Sequence, residues 1–495
     1  MKKNVMIPFQ TLLVIDKKSR VPAYQQLANK LIALIQEGKI LPGGILPGTR
    51  HMATMLLVNR KTVTRAYEEL IAQDWIETLP QKGYRIIPEL PVIKPRSFQP
   101  KNNFTAPDIQ EPGRMKPPKA YFDLDESKLK SSDIVVNDGY PDINHLPYNE
   151  LLKQYRKQFN KKNLKRQMTL RDDGGIQALK QATSNFLNET RGINISENEV
   201  VITRGAQMAI YIAACLLLAP GDKVAVSYPN YSFADKVLKN AGANLVNIPI
   251  DEEGMDMDYL EIKLMSGDIK LLYIVPHHHH PTTVTMSASR RLKLLQLIRT
   301  YQFWVIEDDY DYDFHFKNSP ILPLASSDHG GKILYIGSFT KQLAPSFRIG
   351  YMVGAPAIIR KAINLRMMID LRGDTFMEQT IADMINSGDL SRHIKKTNKI
   401  YAHRCAYICQ LLQEKLGDKI SFRQPYGGLA VWVKFNAQNN VEQLIKKAAA
   451  SGLYFISSIH VNEGDPNHNG LRFGFASLTE DEIERAVEIL SRLVI

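Results

Sequence analysis

The sequence predicts two folded parts: a small, mainly helical winged helix-turn-helix at the N-terminus, and a larger α/β domain with a smaller C-terminal α+β lobe. Three observations predict this organisation. Short amphipathic helices followed by one hairpin occupy the first 90 residues. Apolar runs alternate with helical stretches from about residue 120 onwards, which is typical of an α/β sheet. A proline-rich segment separates the two patterns.

The bulk composition is that of an ordinary globular protein, with 44% hydrophobic and 23% charged residues among 495. The formal net charge of +12 is unevenly distributed along the chain. Residues 1–119 hold 19 Lys and Arg against 9 Asp and Glu, a net +10, which leaves +2 for the remainder. A basic segment joined to a nearly neutral body is typical of a protein that binds the phosphate backbone of nucleic acids.

The compartment is predicted from the cysteines and from the distribution of apolar residues. Cys405 and Cys409 are spaced as two small buried thiols on one helix face, and the three cysteines lack zinc-site spacing. The N-terminus has no long apolar core before Asp16, and no apolar run approaches the roughly 20 residues of a membrane span. We therefore expect a cytoplasmic protein without membrane association.

A proline-rich segment marks the predicted domain boundary. Eight prolines lie between Pro88 and Pro118, and proline both fixes φ and removes a backbone donor. Such a segment behaves as a semi-extended spacer. We expect a DNA-binding domain at 17–87, a linker at 88–119 and an effector domain at 120–495.

The N-terminal domain is predicted to contain three helices and a basic-tipped hairpin. The first helix begins near Pro22 and ends before Gly38, and the third begins at Asn59, a favourable N-cap. Cations crowd the first turns of the third helix, where the helix dipole disfavours them. This placement indicates a helix that faces DNA in a major groove; an all-helical packing subdomain is the alternative. The exposed face of this helix carries Arg60, Lys61, Thr64 and Arg65.

Residues 21–87 resemble the winged-helix domain of the GntR family of bacterial regulators. The matching pieces include Leu46-Pro-Gly-Thr-Arg50, Asn59-Arg-Lys-Thr-Val63 and Ala66-Tyr-Glu-Glu-Leu70. The resemblance implies binding of a double-stranded DNA operator. Together with the exposed face of the third helix, it gives the predicted contacts Arg50, Asn59, Arg60, Lys61, Thr62, Thr64 and Arg65, with Lys82 and Gly83 at the wing.

In the larger domain, four apolar runs each lead into polar residues. The carboxyl ends of parallel strands meet at one edge of a sheet, where α/β folds bind ligands. Lys341 follows the run Ile333–Ile336, so it is a candidate Schiff-base lysine. Each residue alone could be an ordinary surface charge, and the order and spacing of the set favour a shared site. The other runs are 200–203, 271–275 and 303–306.

The residues around Lys341 suit a pyridoxal phosphate cofactor. A carboxylate such as Asp308 would keep the pyridine nitrogen protonated, and the phenol of Tyr310 could bind the ring O3′. A helix N-terminus and an arginine can together bind the phosphate, and an aromatic ring can stack on the pyridine. The predicted phosphate-binding residues are Gly205, Ala206, Gln207, Ser338 and Arg348, with Tyr231 as the stacking ring and Arg472 as the partner of a ligand carboxylate.

This arrangement resembles the fold-type I aminotransferases and, more narrowly, the MocR subfamily of GntR regulators, which fuse such a domain to a winged helix. The resemblance implies that Lys341 forms an internal aldimine and that two chains form a head-to-tail homodimer. The motif His277-His-His-His-Pro281-Thr-Thr283 departs from the usual Ser-His-Gln-aromatic-Pro-Thr-Gly. We therefore expect His279 and His280 to border the ligand site. A metal site in this histidine run is disfavoured, because alternate strand residues point to opposite faces.

Two classes of function follow. The chain is predicted to be a transcriptional regulator that senses pyridoxal phosphate, a small amino compound or both through Lys341. The alternative is an active aminotransferase with an accessory DNA-binding domain, since the lysine that catalysis needs is present.

Overall fold

The computed structural model describes residues 9–16, 19, 21–79, 83–88, 129–160, 169, 174–316, 321–456 and 469–495. The chain divides into two compact units, Met1–Pro112 and Gly113–Ile495. Nearly all of the predicted linker lies outside the described residues, so its extended conformation stays a prediction. Within the described ranges, no helix combines the length and apolar character that crossing a membrane requires.

The N-terminal unit is a winged helix-turn-helix, as predicted. Its core lies between helix α2 (Ala23–Gln36) and helix α4 (Arg60–Ala72), where Leu31, Val63 and Leu70 are fully buried. The hydroxyl of the buried Tyr67 donates to the carbonyl of Pro47 at 2.9 Å, which ties α4 to the segment before α3. The elements are α1 (Phe9–Leu12), α2 (Ala23–Gln36), β1 (Ile45–Leu46), α3 (Thr49–Leu56), α4 (Arg60–Ala72), β2 (Ile76–Leu79) and β3 (Gly83–Ile86), with the antiparallel sheet order β1-β3-β2.

The turn between α3 and α4 contains a strained residue. Leu57 has φ +54° and ψ +42° and is 84% exposed. The left-handed region is unfavourable for leucine, whereas glycine adopts it freely.

We expect Leu57→Gly to stabilise this unit by about 0.5–1 kcal/mol, after allowing for the greater unfolded-state entropy of glycine. Calorimetry of the full chain would measure this. Leu41→Gly is the control. Leu41 is 68% exposed but does not have a positive φ, so glycine relieves no strain there and the variant protein should be less stable.

The larger unit is built on an eight-stranded mixed sheet. Neighbouring residues of one strand point to opposite faces, and both faces are covered: Val305 packs in one apolar cluster and Ile306 in another. Helices thus flank the sheet on both sides. The sheet order is β5 (Val200–Thr203), β12 (Gly350–Val353), β11 (Ile333–Ser338), β10 (Trp304–Asp308), β9 (Ile269–Ile274), β6 (Lys223–Tyr228), β7 (Asn244–Asp251) and β8 (Gly254–Met255).

Five neighbouring strands, β11, β10, β9, β6 and β7, run parallel to one another. Asp308 ends β10 and pairs in register with Ile336 of β11, two residues before Ser338. The sheet therefore brings the polar residues after β9, β10 and β11 to one edge. The helices of this domain are α5 (Tyr148–Phe159), α6 (Gln177–Arg191), α7 (Ala206–Leu217), α8 (Ser232–Asn240), α9 (Met257–Leu264), α10 (Ala288–Tyr301), α11 (Pro356–Asp370) and α12 (Thr375–Asn386).

The C-terminal lobe has its own core, which packs against a three-stranded antiparallel sheet. The strand order of this sheet is β13 (Ile420–Phe422), β14 (Ala430–Phe435) and β16 (Gly470–Gly474). Cys405 and Cys409 are buried there on one long helix, as predicted, whereas Cys215 on α7 is exposed. The elements are α13 (Asp389–Leu416), β13 (Ile420–Phe422), β14 (Ala430–Phe435), α14 (Val441–Ala450), β15 (Leu453–Phe455), β16 (Gly470–Gly474) and α15 (Glu480–Leu493); β15 pairs with β4 (Ile134–Val136).

Candidate cofactor site and nucleic-acid interface

Most of the predicted DNA-binding residues lie at the start of α4: Asn59 precedes it, and Arg60, Lys61, Thr62, Thr64 and Arg65 lie within it. The side chain of Asn59 accepts from the backbone N–H of Lys61 at 2.9 Å, so it caps the helix. Arg65 also contacts its own domain, because its guanidinium lies 4.1 Å from the centre of the Tyr24 ring. At the wing, Gly83 begins β3 with φ +101°, and Lys82 lies outside the described residues. Of the other predicted contacts, Arg50, Arg60 and Lys61 are exposed, and Thr62 and Thr64 are half-buried.

A cavity of about 300 Å³ lies at the polar edge of the large sheet. It brings together most of the residues predicted to bind the cofactor and several that were not predicted. The predicted residues in its wall are Ala206, Gln207, Tyr231, His280, Asp308, Tyr310, Ser338, Lys341 and Arg348; the others include Asp138, Tyr140, Phe233, Tyr273 and Thr340.

Asp308 is a buried acceptor with one oxygen unused. Tyr273 donates to its Oδ2 at 2.8 Å, while its Oδ1 is buried and has no hydrogen-bond partner among the described residues. Burial raises the pKa of Asp308 to about 7, and the hydrogen bond from Tyr273 opposes this rise. A buried acceptor without a partner is costly unless a ligand supplies a donor. The protonated pyridine nitrogen of pyridoxal phosphate is such a donor, so the site fits this cofactor.

Lys341 is held beneath the segment 137–140. Its Nζ donates to the carbonyl of Gly139 at 2.7 Å and lies 4.4 Å from the centre of the Tyr140 ring. Burial, and then the nearby positive charge of Arg472, lower the pKa of Lys341 to about 8. A larger fraction of this amine is therefore neutral near neutral pH than for an exposed lysine, and only the neutral amine is a nucleophile.

We expect the rate at which the cofactor-free protein captures pyridoxal phosphate to rise with pH through about 8 and then to level off, since the nucleophile forms on deprotonation of Lys341. Stopped-flow measurement of the near-visible absorbance would test this. Arg472→Met removes a charge that lowers this pKa, so the midpoint should shift to higher pH. A wild-type rate that keeps rising towards the ordinary lysine pKa of about 10.4 would contradict the assignment.

The start of α7 and Arg348 have the geometry of a phosphate site. Gly205 precedes α7 with φ +79°, and a Cβ at this position would lie 2.8 Å from Nη2 of Arg348. Arg348 itself has φ +49°, and its Nη2 donates to the carbonyl of Arg204 at 3.1 Å. Ser338 ends β11 nearby. The start of α7, an arginine and a hydroxyl therefore surround one position where an anion would be stabilised.

Arg472 is a buried cation without a carboxylate partner among the described residues. Its guanidinium donates to the carbonyls of Asp138 (3.1 Å) and Pro281 (3.0 Å) and to the hydroxyl of Tyr310 (3.2 Å). Only 2% of the residue is exposed. All three acceptors are neutral, so a ligand carboxylate would be a favourable partner. Tyr310 in turn donates to the carbonyl of His278 at 2.9 Å.

Of the two histidines expected to border the ligand site, His279 does not do so. His279 is not in the cavity wall, because Ser227 Oγ lies 2.6 Å from its Nε2 and Thr282 Oγ1 lies 2.9 Å from its Nδ1. His280, which was also expected to border the ligand site, does line the cavity. The chain turns sharply after this point, and Thr283 adopts φ +60° although it is β-branched.

His277 and His278 contact different carboxylates, Asp309 (3.3 Å) and Asp311 (2.9 Å). Within the described ranges, no group of three histidines, cysteines or carboxylates has the arrangement of a metal site. The side chains of the histidine run contact different partners.

Comparison with known proteins identifies both parts of the chain. Residues 23–86 match the family of bacterial regulatory proteins called gntR, and residues 140–490 match aminotransferase class I and II. The probable rhizopine catabolism regulatory protein MocR of Rhizobium meliloti is 26% identical, over 97% of this chain and 95% of its own. The uncharacterized HTH-type transcriptional regulator YdfD of Bacillus subtilis is 27% identical over 97% of each chain.

Solved structures resemble the larger unit. The kynurenine aminotransferase of Pyrococcus horikoshii superimposes with a TM-score of 0.68 at 28% identity, covering 74% of this chain and 91% of its own. The fold and the cavity thus define a protein of the pyridoxal-phosphate-dependent fold-type I class. The chain belongs to the aminotransferase class I and II family, with a gntR-type DNA-binding domain at its N-terminus. The pairing of these domains confirms the predicted resemblance to the MocR subfamily.

Proposed function

We propose that this chain is a DNA-binding transcriptional regulator whose aminotransferase-like domain holds pyridoxal phosphate and responds to the cofactor, to a small amino compound, or to both. The observation that carries the proposal is the joint presence of a gntR-type domain and a cavity containing Lys341 and Asp308. Relatives named as transcriptional regulators match over nearly the whole chain, which supports this function.

Each cofactor role falls to a residue of the cavity wall. Lys341 would hold the cofactor covalently, Asp308 would accept from its ring nitrogen, and Arg348 with Ser338 would bind its phosphate. Tyr231 would contact the ring, and Arg472 would bind the carboxylate of an amino compound. When bound, pyridoxal phosphate supplies an aldehyde carbon at which one amine can replace another. A change in DNA binding then requires different ligand affinities in two arrangements of the protein.

Catalysis of amino transfer is the second candidate. It is favoured by the presence of Lys341 and Asp308 in one cavity wall, and by the guanidinium of Arg472, which donates to the hydroxyl of Tyr310 in that wall. The amine of Lys341 is largely neutral at mildly alkaline pH and could move a proton at the substrate carbon. Sustained transfer from an amino donor to a keto acid would favour this function, whereas one amine exchange without turnover favours a sensor.

The site would be completed by a second copy of the chain, arranged head to tail. Support comes from a row of exposed apolar side chains on one helix: Tyr148, Leu152 and Phe159 of α5 are each about half exposed. Met368 and Leu371, at the end of α11, are 84% and 73% exposed. Apolar surface of this kind is typical of surfaces that a partner covers.

One titration tests the regulatory function. The purified full chain is mixed with a DNA duplex selected from random sequence by its own binding, and pyridoxal phosphate and then single amines are added. Cofactor absorbance and DNase I protection are followed in the same samples. We expect protection to change when the cofactor or an amine binds. Unchanged protection at every addition, with normal cofactor binding, would contradict the proposal.

A further inference from the structure

The residues that directly follow Asp308 and Lys341 lie outside the cofactor cavity. Asp309 and Gln342 are 2% and 3% exposed, and neither is in the cavity wall. Polar side chains buried to this extent are held by hydrogen bonds, which also restrain the backbone beside them. The partners of these two side chains therefore bear on the position of the two residues that would hold the cofactor.

Gln342 is fixed at two points. Its Nε2 donates to Oδ2 of Asp313, and its carbonyl oxygen lies 2.8 Å from Nε2 of His393. Asp313 follows Asp308 by five residues. The contact between Gln342 and Asp313 therefore joins the segment after β10 to the segment that carries Lys341.

Asp309 is joined to the same network through Tyr335 and Arg191. The hydroxyl of Tyr335 donates to Oδ2 of Asp309 at 2.9 Å and accepts from Nε of Arg191 at 2.9 Å. Nη2 of Arg191 donates to Oδ2 of Asp313 at 2.8 Å. One guanidinium therefore connects the supports of the two cofactor-binding residues.

Arg191 itself has little freedom to move. It ends α6, is 1% exposed, and uses its third nitrogen, Nη1, to donate to Oγ1 of Thr190 at 2.7 Å. Its guanidinium also lies 5.1 Å from the centre of the Phe186 ring and 4.6 Å from that of Tyr312. A planar group with fixed donor directions holds its acceptors at fixed separations.

We propose that Arg191 is a positioning residue that fixes Asp308 relative to Lys341. Pyridoxal phosphate would need both residues at once, because its ring nitrogen and its aldehyde carbon are held a fixed distance apart by one rigid ring. Arg191 is not itself in the cavity wall, so it acts only through its neighbours. This inference rests on the proposed function, since it assumes that both residues hold the cofactor.

Capture of pyridoxal phosphate by the cofactor-free full chain tests the inference. In this step the neutral amine of Lys341 adds to the aldehyde and one water leaves, which produces the imine band. Stopped-flow measurement at increasing cofactor concentration separates the dissociation constant of the first, non-covalent complex from the limiting rate of bond formation. In Gln342→Met we expect the limiting rate to fall about 10-fold or more, while the dissociation constant changes by less than about 3-fold.

Gln158→Met is the matched control. Gln158 is also a buried glutamine, and its Nε2 donates to Oδ2 of Asp383 at 3.0 Å, away from the cavity wall. Both substitutions remove a hydrogen bond to a carboxylate, so both should lower the thermal unfolding midpoint. Only Gln342→Met should slow capture. Equal slowing in the two variants, or none in Gln342→Met, would overturn the inference.

Tyr335→Phe tests the other side of the network through the loss of a single hydroxyl. It should also slow the limiting rate, whereas Tyr67→Phe, which alters an equally buried tyrosine of the N-terminal unit, should not. If Arg191 links the two sides, the double variant Tyr335→Phe/Gln342→Met should be about as slow as the slower single variant, within about 3-fold. Losses that multiply would indicate two independent supports and overturn the linking role.

The wild-type measurement distinguishes this inference from the function on which it rests. If wild-type protein forms no imine band at any cofactor concentration, the proposed function fails and the inference with it. If wild-type protein captures the cofactor and the variants of Gln342 and Tyr335 capture it equally fast, only the positioning role of Arg191 is wrong.

Discussion

Replacing Lys341 with alanine is expected to abolish the imine band, shifted from the absorbance of free pyridoxal phosphate, that develops when the wild-type protein is mixed with the cofactor. The band requires a covalent link to an amine, and Lys341 is the lysine in the cavity wall. Without it, the carboxylate of Asp308 and the phosphate contacts of Arg348 can retain the cofactor only non-covalently. Absorbance spectra before and after gel filtration would measure the loss, which should be complete.

Lys332→Ala provides the control for the Lys341 experiment. Lys332 precedes the same strand, β11, but its ammonium lies 5.1 Å from the centre of the Trp304 ring, and it is not in the cavity wall. Its replacement should leave the band intact. A band that survives in Lys341→Ala would mean that another lysine holds the cofactor, and the proposed site would be wrong.

Arg60→Ala is expected to weaken DNA binding by about 1–3 kcal/mol, roughly 5- to 150-fold at fixed salt. Arg60 is exposed at the first position of α4, beyond the Asn59 cap, where a phosphate or a base edge would be within reach. If it contacts a phosphate, the slope of log affinity against log salt should also fall by about 1. Fluorescence anisotropy on the selected duplex, at several salt concentrations, measures both quantities.

Arg60 gives a cleaner test than Arg65, whose stacking on Tyr24 contributes to the structure of the unit itself. Lys39→Ala is the charge-matched control, because Lys39 pairs with Glu37 after the end of α2, at 2.7 Å. It should leave affinity nearly unchanged. Equal losses in Lys39→Ala and Arg60→Ala would indicate a general electrostatic effect, and α4 would then lose its assignment as the DNA-reading helix.

The parts of the fold that depend on local pattern were predictable from the sequence. Asn59 caps α4, and the apolar run at 333–336 forms the interior of β11. These features follow from side-chain chemistry and hydrophobic periodicity over a few residues. Because parallel strands end at a common edge, the same reasoning brought Asp308 and Lys341 to one site.

Features that depend on contacts distant in sequence were not predictable. Tyr273 lies inside an apolar strand and is expected to be a core residue, yet its hydroxyl binds Asp308. A phenol within a buried strand needs a partner, and this was the only available signal. Asp138 is 203 residues before Lys341, so its position depends on tertiary packing. Both histidines were expected at the ligand site, yet only His280 lines the cavity, and His279 lies outside the cavity wall in a segment that turns before Thr283 instead of continuing as a strand.

The pairing of β10 with β11 has a consequence for the lifetime of the protein. Asp308 and Lys341 reach one cavity only when these strands are in the observed register, because a slip by one residue reverses every side chain between the two faces. A cofactor that needs both residues would thus bind the native fold and not the unfolded chain. Binding of that kind stabilises the folded protein by mass action. Its free energy of unfolding rises by about 2.7 kcal/mol at a ligand concentration 100 times the Kd. The cofactor supply of a cell would therefore set how much of this protein escapes proteolysis, in addition to its state on DNA.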